Sequence, residues 1–129
     1  MTAALQEAKH AQDQGEVPVG AVIVKDDVII ARAFNRIVAL RDPTAHAEIL
    51  AIQKAAQFLS YERLIDCDMY VTLEPCAMCA GAISLARLRK IFFGALDFKG
   101  GAVLHGPKFF NQPTCHHRPE IEPGVLSAP

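Results

Sequence analysis

Apolar positions along the chain fall into short blocks whose spacing alternates between helical and extended. Residues 3–14 are rich in Ala, Gln, Leu, Glu and Lys, all good helix formers, and Gly15 supplies a stop. Residues 19–24 form a β-branched apolar run, Lys25-Asp26-Asp27 a polar turn, and residues 28–31 a second extended run, which together predict a hairpin. Asp42-Pro43-Thr44 reads as a loop ending in a helix cap. A helix over 45–59 follows, with Ile49, Ile52, Ala56 and Leu59 near helical spacing. Residues 69–73 predict a third strand, broken by Glu74-Pro75, and the small apolar stretch 76–86 predicts a buried helix. A fourth strand is expected at 91–94 and a short last one around Glu120-Ile121; between them Gly100, Gly101, Gly106, Pro107 and Pro113 mark a long loop. This order points to an α/β layered fold with helices on both faces of one sheet.

Composition narrows the class. With 129 residues, 51% of them apolar and 21% charged, one compact domain over 1–129 is expected, with core enough to fold without metal or disulfides. No run approaches the roughly 18 apolar residues of a membrane span. Residues 1–14 carry Glu7, Lys9, His10 and Asp13 and do not read as a signal peptide, so a soluble cytoplasmic protein is the expectation. The net charge of -1 averages over unlike regions: residues 87–118 hold Arg87, Arg89, Lys90, Lys99, Lys108 and Arg118 against Asp97 alone. A local basic face is what phosphate contact requires. Phe98, Phe109 and Phe110 lie among these charges and read either as base-stacking platforms or as core.

Two short pieces carry chemistry: His46-Ala47-Glu48 and Pro75-Cys76-Ala77-Met78-Cys79, each at a predicted helix start. Cysteines three apart on a helix share one face, and the helix N-terminus favours the thiolates that zinc needs. Two thiolates and a neutral imidazole from His46 give three ligands to an ion that prefers four, and an open fourth position marks a catalytic site. Glu48 is too close to His46 to serve as a fourth ligand but well placed to take a proton from a water there and deliver it to a leaving group. Cys-x-x-Cys alone reads as redox or structural, and His-x-Glu alone as an ordinary helix start. The combination, about thirty residues apart, is the signature of zinc nucleobase deaminases. Cys67 and Cys115 read as plain thiols, the His116-His117 pair as no second metal site, and His10 and His105 as histidines without visible partners.

Further matches extend along the chain: residues 16–22, Asn35-Arg36, residues 42–48, residues 70–82, residues 93–95, Asp97, Lys99 and His117-Arg118. In these segments the chain resembles the bacterial tRNA-specific adenosine deaminases of the cytidine deaminase-like superfamily. The resemblance implies a three-layer α/β/α fold with one mixed five-stranded sheet, one Zn²⁺ per chain and usually a homodimer. It implies conversion of the wobble adenosine of a tRNA anticodon to inosine, with Asn35, Ala47, Asp97 and Lys99 as substrate contacts and the Asp97–Lys99 segment against the anticodon loop. It also implies a further C-terminal helix bearing aromatic and basic residues; the chain stops at Pro129 after residues 124–128, and a weaker hold on RNA is expected without that helix. Leu96 stands where relatives carry a basic residue. The alternatives are a deaminase of free guanine or cytosine and, from another class, a non-catalytic zinc or RNA-binding module, against which Glu48 argues.

Overall fold

The computed structural model describes residues 1–125, so most of the 124–128 stretch lies outside the described residues. Helix α1 (Thr2–Asp13) is followed by strands β1 (Gly20–Lys25) and β2 (Val28–Phe34), a short helix α2 (Ile37–Leu40) and helix α3 (Ala47–Leu59). Strand β3 (Cys67–Leu73), helix α4 (Ala77–Ala86), β4 (Lys90–Ala95) and β5 (Glu120–Glu122) complete the order, with a single 3₁₀ turn at Phe109–Asn111. The sheet order is β2-β1-β3-β4-β5. The β1 strand runs antiparallel to both β2 and β3, whereas β3, β4 and β5 are parallel. A parallel pair needs a crossover, and α4 supplies it between β3 and β4. The β1–β2 connection is a tight hairpin because Asp26 and Asp27 both adopt positive φ, 51° and 63°.

On one face of the sheet Ala21, Ile23, Met69, Val71, Ile91 and Phe93 pack with Ala51 and Ala55 of α3 and Ala80 and Ile83 of α4. Helix α1 covers the other face of β1 with buried Ala4, Ala8 and Ala11. It sits so close that a Cβ on Gly20 would collide with the Ala4 carbonyl oxygen and the Ala8 nitrogen and lie 2.8 Å from Glu7 Cβ. The result is the expected three-layer α/β/α arrangement with a mixed five-stranded sheet.

Two local expectations are corrected. Thr44 does not cap the helix: its N–H and hydroxyl both donate to Asp42 Oδ1 (2.9 and 2.7 Å), closing a turn, and the cap residue is His46. Helix α2 was not expected, since four apolar residues show no period. It exists because the buried Glu16 carboxylate accepts the N–H groups of Val38 and Ala39 (3.1 and 2.8 Å).

Candidate active site

Helices α3 and α4 begin with their cap residues, His46 and Cys76, in extended conformation, and neither side chain caps its own helix. Both are therefore free to turn toward each other. His46 Nδ1 lies 3.6 Å from Cys76 Sγ and 3.5 Å from Cys79 Sγ, and all three donor atoms fall within 4.8 Å of one another. With Zn–S near 2.3 Å and Zn–N near 2.0–2.1 Å, tetrahedral angles separate N from S by about 3.6 Å, so the three donors fit one zinc ion without rearrangement. They are the one such cluster among the described residues. The donor chemistry agrees: the Cys79 thiol donating to it lowers Cys76 to about 5, in the direction that favours the thiolate zinc takes as ligand. Cys79 is pushed up correspondingly, holding the proton that a metal would displace.

Beside these donors a cavity of about 290 Å³ opens, of a size that takes small ligands. It is lined by the polar side chains of Asn35, His46, Glu48, Glu74, Cys76 and Asp97 and by apolar Val17, Val19, Ile37 and Leu73. Glu48 lies in the first turn of α3 and is 4% exposed; burial pushes its carboxyl up to about 7. A carboxyl with that proton affinity is suited to accept and return a proton near neutral pH. Asn35 is also buried, and its Oδ1 accepts the Ala47 N–H at 2.7 Å. That bond satisfies an otherwise unpaired first-turn donor of α3 and fixes the amide orientation, leaving the Asn35 NH₂ for the cavity.

The cytidine and deoxycytidylate deaminase zinc-binding region matches residues 1–95 of this chain. A tRNA-specific adenosine deaminase of Agrobacterium fabrum (strain C58 / ATCC 33970) is 55% identical over 128 residues, covering 99% of this chain and 84% of the relative. The chain belongs to the tRNA-specific adenosine deaminase family. A solved structure from studies of A-to-I editing by tRNA:A34 deaminases at the wobble position of transfer RNA superposes with a TM-score of 0.97 at 55% identity, covering 98% of this chain and 93% of that one. The guanine deaminase of Bacillus subtilis superposes with a TM-score of 0.72 at 45% identity, covering 74% of this chain and 61% of that chain.

In this deaminase the other predicted contacts divide. Asp97 lines the cavity, while Lys99 is exposed on the adjoining turn and does not line it. Ala47 is fully buried and reaches the site only through Asn35, which already holds its N–H. The basic segment is not one face. Parallel register places Lys90 beside Asp68 at the start of β3 and Ala95 beside Leu73 at its end, so Arg89 and Lys90 lie at the far end of the strands from the cavity. There Arg89 pairs with Asp68 (2.6 Å) and Lys90 with Glu122 (3.6 Å), while Arg118 donates to the carbonyls of Phe110 and Gln112. Of the three phenylalanines Phe110 is core, Phe109 packs partly buried against that core, and Phe98 alone is 76% exposed. The Nε2–H of His117, close to β5, donates to the Leu88 carbonyl at 2.6 Å.

Two site-building residues escaped the sequence reading. Glu74 and its partner His105 meet at 2.7 Å on the cavity wall, although His105 reads as partnerless in the sequence. Burial opposes the charge on Glu74, but the His105 N–H and the backbone N–H groups of Asp97, Leu104 and Val103 outweigh it and hold the carboxyl below its ordinary range. The one sequence signal for Glu74 is an acidic residue at the end of an apolar strand, directly before the metal-donor segment.

Proposed function

We propose that this chain is a zinc-dependent hydrolytic deaminase that converts the wobble adenosine of a tRNA anticodon to inosine, releasing ammonia. The observation that carries the reaction is the buried Glu48 carboxyl lining an open cavity, beside three donors spaced for one zinc ion. His46, Cys76 and Cys79 hold the ion, which when bound supplies Lewis acidity and makes a water nucleophilic near neutral pH. Glu48 takes the proton that the attacking water loses. It passes that proton to the ring nitrogen, then takes a second proton from the hydroxyl newly bound to the ring carbon and delivers it to the departing amino group, so that a carbonyl forms and ammonia leaves. Asn35, held by the Ala47 N–H, donates its NH₂ to an acceptor on the base and fixes its orientation. Asp97 contacts the flipped nucleoside, and Lys99 reaches the phosphates of the anticodon loop.

The whole chain acts as a single deaminase domain in the cytoplasm and pairs into a homodimer, a reading supported by the exposed Phe58 and Leu85 on the α3–α4 layer. No described helix is long and apolar enough to cross a membrane. A second reading, deamination of a free base, is favoured by the likeness to a guanine deaminase. Incubation of the zinc-loaded chain with an anticodon stem-loop, and separately with guanine and cytosine, decides between them. Inosine in the RNA, detected by mass spectrometry, is expected; turnover of a free base without RNA turnover would overturn the tRNA reading.

A further inference from the structure

We propose that Glu74 is a positioning residue for substrate: through the loop over residues 97–105 it places Asp97 at the cavity mouth and so sets the grip on RNA. This rests on the tRNA reading above. The Glu74 side chain is wholly buried, and both its oxygens are engaged. Oε1 accepts the Asp97 N–H at 3.1 Å and the His105 Nδ1–H at 2.7 Å. Oε2 accepts three successive backbone N–H groups, those of Val103, Leu104 and His105, at 3.1, 2.9 and 3.2 Å. Consecutive N–H groups converging on one oxygen form an anion-binding concavity, here filled by the protein's own side chain.

The loop contains no helix or strand to give it shape. It is instead folded around this carboxylate, so closely that a Cβ on Gly101 would lie 2.5 Å from Glu74 Cδ and 2.6 Å from Oε2. From the Asp97 anchor a second tier follows. Asp97 Oδ1 accepts the N–H groups of Lys99 (3.1 Å) and Gly100 (2.9 Å), and its carbonyl accepts that of Gly101 (3.0 Å). The Ala102 N–H donates to the Pro75 carbonyl at 2.9 Å, which laces the same loop to the segment bearing Cys76.

Burying a carboxylate is electrostatically unfavourable, and apolar side chains would hold a merely structural loop at lower cost. What hydrogen bonds to a charge add is direction and a fixed distance. Those properties serve a loop that presents Asp97 and Gly100 to a bound nucleotide in the cavity that His46, Glu48 and Cys76 also line.

The test uses the full zinc-loaded chain carrying Glu74→Gln. Glutamine keeps the shape and one carbonyl oxygen for residues 103–105 but turns an NH₂ toward the Asp97 N–H. We expect zinc stoichiometry equal to wild type. KM for the anticodon stem-loop should rise about 10-fold or more, while kcat stays within about 3-fold, the pattern of lost positioning rather than lost chemistry. His105→Ala, which removes one contact from the partly exposed side of the clamp, should raise KM in the same direction by less, and it serves alone if Glu74→Gln does not fold. Unchanged KM in a folded variant, a kcat collapse at unchanged KM, or loss of zinc would each overturn the proposal while leaving wild-type RNA turnover intact. Absence of RNA turnover by the wild type would instead overturn the tRNA reading on which the proposal stands.

Discussion

Replacing Glu48 by Gln should make the metal-free protein more stable and the enzyme nearly inactive. The substitution keeps the shape of the side chain and removes its charge and its exchangeable proton. In the metal-free fold, burial raises the carboxyl from 4.5 to about 7. Each tenfold change in proton affinity is about 1.4 kcal/mol, so keeping this group charged inside the fold costs roughly 3 kcal/mol. Because the folded value lies above the unfolded one, the penalty is absent below about pH 4.5, grows as pH rises toward 7, and is complete above it. Glutamine carries no such penalty at any pH. Denaturant unfolding of chelator-treated proteins should therefore show the variant ahead by roughly 1–3 kcal/mol at pH 8 and nearly level with wild type at pH 4. A bound zinc ion offsets part of the same penalty, so the gain should shrink in zinc-loaded samples. Turnover of the zinc-loaded variant should fall by about 10²–10⁴-fold. Equal stability of the two stripped proteins at pH 8 would refute the desolvation argument, and turnover within tenfold of wild type would remove Glu48 as the proton carrier.

Two further outcomes follow from single distances. Cys79→Ser should lose zinc by elemental analysis whereas Cys115→Ala, a buried thiol on the Ser84 hydroxyl, should retain it; the reverse pattern would reassign the ligands. Gly20→Ala should destabilise the fold by about 3 kcal/mol or more in thermal or denaturant unfolding, because the new methyl meets helix backbone rather than a movable side chain, and a loss under 1 kcal/mol would show that α1 is not packed as described.

The metal donors were legible in the sequence because their geometry is local. His46 and Glu48 share one helix start, Cys76 and Cys79 another, and spacing alone puts each pair on the right side. The first four strands were legible for a similar reason, since apolar runs bounded by polar turns, Gly or Pro leave little choice, whereas β5 offers Ile121 alone between two glutamates. What spacing cannot reveal is a bond across the fold. Glu16 reaches Val38 and Ala39 over more than twenty residues, and Glu74 reaches Leu104 over thirty. Neither contact leaves a period in the chain, so helix α2 and the carboxylate that shapes the loop over Asp97 stayed unseen. The count of basic residues between 87 and 118 failed in the same way. It registers that Arg89 and Lys99 are ten residues apart but not that a strand lies between them, which carries the first to the wrong end of the sheet.

Glu16 and Glu74 divide the site into parts held in different ways. Zinc donors and Glu48 sit on helix starts packed against the sheet, where a small shift would spoil both coordination and proton transfer. The walls that face the substrate beyond Asn35 belong to short segments without a core of their own, each held by one carboxylate: Glu16 for residues 37–40 and Glu74 for residues 97–105. The match to the cytidine and deoxycytidylate deaminase zinc-binding region ends at residue 95, where β4 ends and the second of these segments begins. Chemistry that attacks an amino-bearing ring carbon can therefore stay constant while the wall after β4 changes its occupant from a base to a nucleotide within an RNA loop. On this argument a change of substrate is expected first in residues 96–105, the segment that Glu74 holds, rather than in the metal centre.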